Sequence, residues 1–286
     1  MTAGALEEFV SRHERLFVLT GAGVSTGSGI PDYRDADGEW KRSPPITFQA
    51  FLATEQARKR YWARSLVGWR RMTGAQPNDA HRSLAALERL NRIEQLVTQN
   101  VDGLHQAAGS RNVIDLHGRV DVVRCLDCGR RSPRARFQAK LLARNPAFAE
   151  LDAAGAPDGD ADLDTVAFEA FDVPACEWCG GLLKPDVVFF GESVPRERVQ
   201  ASFAALERAD AMLIVGSSLM VYSGFRFAAA MASARKPIAA VNLGKTRADE
   251  LLALKVDEPC ADALEFLLTW RQPLAKLPQL GSPAIS

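Results

Sequence analysis

Two pairs of cysteines, Cys125-x-x-Cys128 and Cys176-x-x-Cys179, each run into a glycine, Gly129 and Gly180. Paired turns of this kind commonly grip tetrahedral structural zinc. The 47 residues between the pairs exceed the gap of a compact zinc ribbon, so two disulfides or two redox turns must also be weighed. A cytoplasmic setting disfavours disulfides, and a thioredoxin-like site needs one such turn opening a helix after a strand. Four thiolates that leave no ligand position open therefore predict one zinc ion that supports the fold and takes no part in bond making. The fifth cysteine, Cys260, reads as a small buried hydrophobe.

A second cluster lies in LFVLTGAGVSTGSGIPDYRD, residues 16–35. An apolar run breaks there into Gly21, Gly23 and Gly27, which miss the usual G-x-G-x-x-G dinucleotide fingerprint by one residue at its last step. A dehydrogenase also needs an acidic residue about 20 positions further on, at the end of a second strand. No strand follows here. Pro31-Asp32-Tyr33-Arg34 and the polar run after it predict a loop that closes over a ligand, with an aromatic wall, a carboxylate and a guanidinium to offer. That inventory suits expelling the nicotinamide end of a dinucleotide better than passing it a hydride.

Strand ends must position these groups. LFVLT, IEQLVT, VIDL, AMLIV and PIAAV are apolar runs that each stop at small or polar residues: Gly21, Gln99-Asn100-Val101-Asp102, His117-Gly118, Gly216-Ser217-Ser218 and Asn242-Leu243-Gly244. Such runs, separated by helical patterns, suit a parallel sheet covered on both faces. Ligands bind such sheets outside the carboxyl ends of the strands, where strand order reverses. NDAHRSLAALERL, with Asn78 as N-cap, and VPRERVQASFAALERAD supply helices. The expected fold is an α/β, Rossmann-type doubly wound parallel sheet with a smaller zinc-binding and helical domain inserted. Residues 1–35, 78–122 and 185–275 would form the large domain, 36–77 and 123–184 the small one, and 276–286 a C-terminal tail. The acidic stretch 151–164 reads as an exposed loop.

The chain of 286 residues carries 35 Lys plus Arg against 35 Asp plus Glu. A net charge of zero provides no overall field to draw in nucleic acid or an anionic membrane, and no apolar run approaches the roughly 20 residues that span a bilayer. With no targeting pattern at the N-terminus, a cytoplasmic protein is expected. Oligomeric state is not legible.

Taken together, GAGVSTGSGIPDYR, TQNVDGLH, LHG, the two cysteine pairs, KPDVVFFGE, GSSLMVYS and VNLG resemble, in this order, the sirtuins, NAD-dependent protein-lysine deacylases. The resemblance spans roughly residues 10 to 265. PDYR, the long gap between cysteine pairs and RYWARSLVGW most resemble the class II branch, which includes a mitochondrial lipoamidase and ADP-ribosyltransferase. The resemblance implies that the acyl oxygen of a modified lysine attacks the ribose carbon bearing nicotinamide, that nicotinamide departs, and that the acyl group ends on ADP-ribose. It implies His117 as general base, an apt role for an imidazole, with Asn100 and Asp102 beside it.

For the cofactor, NAD, the resemblance implies pyrophosphate contacts from Gly21, Ala22 and Gly23, and a mobile loop containing Asp32, Tyr33 and Arg34, with Tyr33 where most of the family has Phe. Gln99, Asn100, Val101 and Asp102 would line the nicotinamide pocket. Gly216, Ser217, Ser218, Asn242, Leu243, Gly244 and Cys260 would hold the adenosine end. Val188, Phe190, Gly191 and Glu192 would receive an acyl-lysine protein or peptide, and Tyr61 with Arg64 resembles a Tyr-x-x-Arg reader of acidic acyl groups. The implied activity is deacylation, with protein ADP-ribosylation or lipoamidase action at the same site as the alternative. A zinc-dependent binding module and a dehydrogenase are the readings outside the family.

Overall fold

The computed structural model describes residues 2–41, 45–151 and 168–270. Its strands are β1 (Leu16–Thr20), β2 (Ile93–Thr98), β3 (Val113–Asp115), β4 (Gly118–Cys125), β5 (Arg131–Pro133), β6 (Leu183–Val187), β7 (Ala211–Val215), β8 (Ile238–Val241) and β9 (Leu254–Val256). Its α-helices are α1 (Thr2–Arg12), α2 (Phe48–Ala53), α3 (Glu55–Gly74), α4 (Asp79–Arg89), α5 (Leu104–Ala107), α6 (Arg134–Arg144), α7 (Pro146–Ala149), α8 (Arg196–Arg208), α9 (Tyr222–Ser233) and α10 (Cys260–Leu264).

All five apolar runs form strands of one parallel sheet, in the order β3-β2-β1-β7-β8-β9. Every residue of β1, β7 and β8 is buried, as expected where helices cover both faces. One core packs Leu6, Val18, Leu84, Leu213 and Leu264 on one face, and a second packs Phe17, Leu19, Ile214, Phe227 and Met231 on the other. The order reverses between β1 and β7, which places the crevice of such a sheet beyond Thr20 and Val215.

The remaining strands form an antiparallel sheet, β5-β4-β6. Its apolar face meets α3 and α6 through Trp62, Leu66, Val123, Phe137 and Leu141. Thr54 caps α3 by accepting from the Ala57 N–H at 3.1 Å, and the Trp62 indole N–H donates to the Leu183 carbonyl at 3.2 Å, tying helix to sheet. Strand β4 starts on the residue after His117 and ends at the zinc-ligand candidate Cys125.

VVFFGE differs from a continuous core strand. β6 ends at Val187, and beyond it Phe190 makes only an isolated bridge to Thr47. Gly191, at φ +77°, turns the chain away. The acidic stretch from residue 152 onward and the tail at 276–286 lie outside the described residues.

Candidate active site

The glycine turn is set by close backbone approach. After β1 the Gly21 N–H donates to the Val215 carbonyl at 3.1 Å, and the Gly23 N–H donates to the Gly216 carbonyl at 2.8 Å. Gly216 has φ +62°, and a Cβ there would lie 2.2 Å from the Val24 nitrogen. Only glycine lets the two strand ends close in this way. Ala22 opens a short 3-10 turn, Ala22–Val24, beside this approach.

The end of β2 is drawn into the same crevice. The Gln99 amide donates to Ser217 Oγ at 2.7 Å and to the Thr20 carbonyl at 3.2 Å. Asn100 Nδ2 donates to Ser25 Oγ at 3.0 Å, and that hydroxyl donates to Asp102 Oδ2 at 2.8 Å. Asp102 Oδ1 accepts the Leu104 N–H at 2.9 Å, while the Val101 carbonyl accepts the Val120 N–H. Asn100 and Asp102 thus converge on one serine of the glycine turn.

Two buried histidines support that convergence. Asn78 N–H donates to His81 Nδ1 at 3.3 Å as part of a capping box on α4, leaving the proton on Nε2, 3.4 Å from Ser25 Oγ. Thr20 Oγ1 gives its proton to Thr98 Oγ1 at 2.8 Å, so it accepts from His105 Nε2 at 2.9 Å. The two rings lie 4.8 Å apart. Burial lowers His81 to about 4, against the pull of Asp102, and lowers His105 well below the ordinary value, with His81 adding to the effect.

His117 stands half-buried at the end of β3, facing the same crevice. Its Nδ1 lies 3.0 Å from the Gln99 carbonyl, which can only accept, so Nδ1 carries the proton. The basic electron pair is therefore on Nε2, 2.8 Å from the Ser223 hydroxyl on α9. Burial is the main cause lowering His117 to about 4; the Gln99 carbonyl opposes it, and Arg226 of α9 and Arg198 of α8 reinforce it. The ring is neutral at neutral pH, as a general base must be.

The proposed loop residues pack together. Tyr33 meets Trp40 and Phe190 edge-on at 6.1 and 6.4 Å, and the Arg34 guanidinium lies 4.0 Å over Trp40 while donating to the Gly38 carbonyl. Asp32 pairs with Lys41. On the opposite side the Lys245 N–H donates to the Ala36 carbonyl at 2.8 Å, and its ammonium pairs with Asp37. The loop thus rests on the segment that includes Asn242, exposed Leu243 and Gly244, whose N–H donates to Asp257. The Ser218 carbonyl accepts the Arg247 N–H, and buried Cys260 starts α10 beneath β8, its thiol pushed up to about 12 by burial.

Substrate-segment residues are placed less uniformly. The Val188 N–H donates to the His117 carbonyl at 2.8 Å, directly joining this segment to that residue. The Phe190 carbonyl accepts from Phe48, and the Gly191 carbonyl accepts from Gln49. Glu192 is occupied inside the fold, accepting from the Lys184 ammonium at 3.0 Å and the Phe189 N–H at 2.9 Å. Tyr61 is buried against Phe51, Trp62 and Phe189, whereas Arg64 is half-buried.

The four cysteine sulfurs lie within 4.8 Å of one another. Cys125 and Cys179 are 3.5 Å apart and Cys128 and Cys176 3.8 Å, too far for disulfides. Backbone N–H groups, that of Trp178 foremost, lower Cys176 to about 7, whereas Cys179, against the Gly181 N–H, is pushed up to about 12 by the thiols beside it. This donor set fits one tetrahedral zinc ion.

Residues 21–223 match the Sir2 family. This chain belongs to the Sir2 family. Among its Sir2 relatives, the NAD-dependent protein deacetylase of Xanthomonas campestris pv. campestris (strain 8004) is 65% identical over 273 residues, covering 96% of this chain and 93% of the relative. NAD-dependent protein deacetylase 2 of Bradyrhizobium diazoefficiens is 64% identical over 264 residues, covering 92% and 97%. A solved structure of Sir2 with a p53 peptide and NAD+ superposes with a TM-score of 0.76 at 29% identity, covering 94% of this chain and 98% of that one. Within this Sir2 site, sequence reasoning missed Ser25 and Ser223. Ser25 lies inside the glycine turn and was within reach of a careful reading; Ser223 carries no local signal, because a serine near a helix start reads as a cap.

Proposed function

We propose that this chain is an NAD-dependent protein deacetylase that moves the acyl group of a modified lysine onto ADP-ribose and releases nicotinamide. The observation that carries this reading is the state of His117: neutral, with its tautomer fixed by Gln99, in the crevice entered by the glycine turn. The dinucleotide is a substrate, and its glycosidic bond is the one broken.

Placement supports a role for each residue. Gly21, Ala22 and Gly23 would let the pyrophosphate approach the backbone. Gly216, Ser217, Ser218, Asn242, Leu243, Gly244 and Cys260 would hold the adenosine end. Asn100 and Asp102, steered by Ser25, would orient the nicotinamide ribose, with Gln99 and Val101 beside them, while Asp32, Tyr33 and Arg34 cover the site. Nε2 of His117 takes the proton of a ribose hydroxyl. Val188, Phe190, Gly191 and Glu192 support a peptide laid along the segment after β6, with main-chain pairing giving affinity that tolerates sequence. Tyr61 and Arg64 would bear on the acyl group.

Cys125, Cys128, Cys176 and Cys179 would hold zinc, which when bound cross-links the antiparallel sheet. We read 1–35, 78–122 and 185–275 as the dinucleotide-binding unit and 36–77 with 123–184 as the smaller one. Among the described residues no helix is long and apolar enough to cross a membrane, and we place the enzyme in the cytoplasm.

Mass spectrometry of products formed from NAD and acyl-lysine peptides tests the reading. Nicotinamide release that requires the peptide, with acyl-ADP-ribose as coproduct, is expected. His117→Ala should lower acyl transfer by about 10²- to 10⁴-fold while the protein remains folded. Release without peptide, or label transferred to protein, would favour ADP-ribosylation instead.

A further inference from the structure

The basic nitrogen of His117 is already engaged. Nδ1 gives its proton to the Gln99 carbonyl, so the single lone pair of Nε2 is the one that faces Ser223 Oγ at 2.8 Å. A hydroxyl at that distance from a bare imidazole nitrogen donates to it. Any proton bound for Nε2 must pass through this hydroxyl or push it aside.

The fold holds the serine in place. Ser223 is the second residue of α9, whose N-cap, Val221, makes no side-chain cap. Its neighbour Gly224 is buried, and a Cβ there would lie 2.5 Å from Gln99 Oε1. That side chain cannot easily yield, because its amide is fixed by Ser217 and the Thr20 carbonyl. The missing side chain at 224 therefore lets the start of α9 press against Gln99, the residue whose carbonyl holds the other side of the imidazole. Gln99, His117 and Ser223 form one braced unit that joins the ends of β2 and β3 to the start of α9. Arg226, one turn further along α9, and Arg198 of α8 are the charges facing it.

On the deacetylase reading above, we propose that Ser223 is a catalytic residue that relays the proton from the substrate ribose hydroxyl to His117. As the ribose O–H bond breaks, Ser223 Oγ takes that proton. Its own Oγ–H bond breaks as Nε2 takes the second proton. The electron pair left on the ribose oxygen forms the bond to the acyl carbon as the carbon–nitrogen π bond to the lysine breaks and its pair moves onto the lysine nitrogen. The imidazolium then donates back to Ser223 Oγ with no heavy-atom movement, because a hydroxyl can donate to neutral imidazole and accept from the protonated ring by rotation alone. The proton leaves to water by the reverse path when product departs.

The test compares wild type, Ser223→Ala and Ser223→Thr in two assays, exchange of labelled nicotinamide and formation of acyl-ADP-ribose, with acyl transfer also followed in H2O/D2O mixtures. Wild type should show a bowed dependence on deuterium fraction, the mark of two protons in flight. Ser223→Ala should slow acyl transfer about ten- to a hundredfold, make that dependence linear, and leave nicotinamide exchange and NAD affinity unchanged; Ser223→Thr should restore rate and curvature. Undiminished or faster acyl transfer in Ser223→Ala, or curvature that survives the loss of the hydroxyl, overturns the relay. A wild-type chain that fails to release nicotinamide overturns the deacetylase reading and the relay with it, a result visible before any variant is made.

Discussion

The two sheets of this molecule are held together by different means. The parallel sheet buries unbroken apolar runs on both faces, and the candidate site lies at its strand ends, where β1 and β7 turn through glycine. The antiparallel sheet buries charge as well. Arg134 is fully buried, 4.9 Å from the Trp69 ring and 5.3 Å from the Trp62 ring, with Gln138 accepting from its guanidinium. Lys184 is buried over Phe189 and paired with Glu192, burial lowering its pKa against the pull of that carboxylate. Among the described residues the parallel side also buries a cation, Arg92, on the Val10, Ser11 and His13 carbonyls, but the antiparallel side must satisfy two, Arg134 and Lys184, through specific partners and has less margin. The difference teaches where a cross-link is needed, and the four cysteines stand on the less apolar side.

The comparison breaks first at the metal. Cys125→Ser, or zinc removal by a chelator, should unfold the smaller unit and lower the thermal midpoint by more than about 10 °C, read by circular dichroism alongside zinc content. A metal-free chain melting at the wild-type temperature would show that the antiparallel sheet needs no cross-link. Gly216→Ala attacks the other side: with a Cβ 2.2 Å from the Val24 nitrogen, it should cost about 2–4 kcal/mol in urea unfolding and abolish NAD binding by calorimetry. Normal NAD affinity in that variant would mean that the strand ends need not meet so closely.

Acid sharpens the contrast, because the depressed histidines all serve the parallel sheet. His81, His105 and His117 are neutral in the folded chain and titrate near 6.5 when it is unfolded. Above 6.5 both states are deprotonated, and the stability from keeping these rings neutral is complete. As pH falls from 6.5 toward 4, the unfolded chain takes up protons that the folded chain refuses, and stability is lost. His81, lowered to about 4, accounts for on the order of 3 kcal/mol of that loss. Urea midpoints measured between pH 7 and 4.5 should fall accordingly, and less steeply in His81→Asn; a flat profile would place charged histidines in the folded state. The smallest effect is expected at Arg64. Arg64→Met should leave stability within about 0.5 kcal/mol while changing the preference among acetyl-, succinyl- and glutaryl-lysine peptides, and an unchanged order would remove Arg64 from acyl recognition.

What was legible follows the same division. The five long strands could be read because a strand buried on both faces is apolar throughout. β9, at three residues, is too short to give a pattern. α6 was missed because RARFQAKLLAR is rich in cations, one of which, Arg134, is buried where an apolar residue would be expected. The cysteine cluster was legible from residue type and spacing, whereas His117 was singled out only through the resemblance of LHG to the sirtuins. Ser223 was not, since its position depends on how closely α9 packs on Gln99, a contact 124 residues away in the chain.

Strand β4 leaves His117 at one end and reaches Cys125 at the other. The proposed base and the proposed zinc ligand thus stand at the two ends of a span of roughly 25 Å at the rise of an extended chain. If zinc fixes the far end of that strand, stripping it would loosen the support of the ring, and a fall in turnover on chelation is then expected even from a metal that never meets a reactant. Inhibition by metal capture would on that account be no proof of a metalloenzyme.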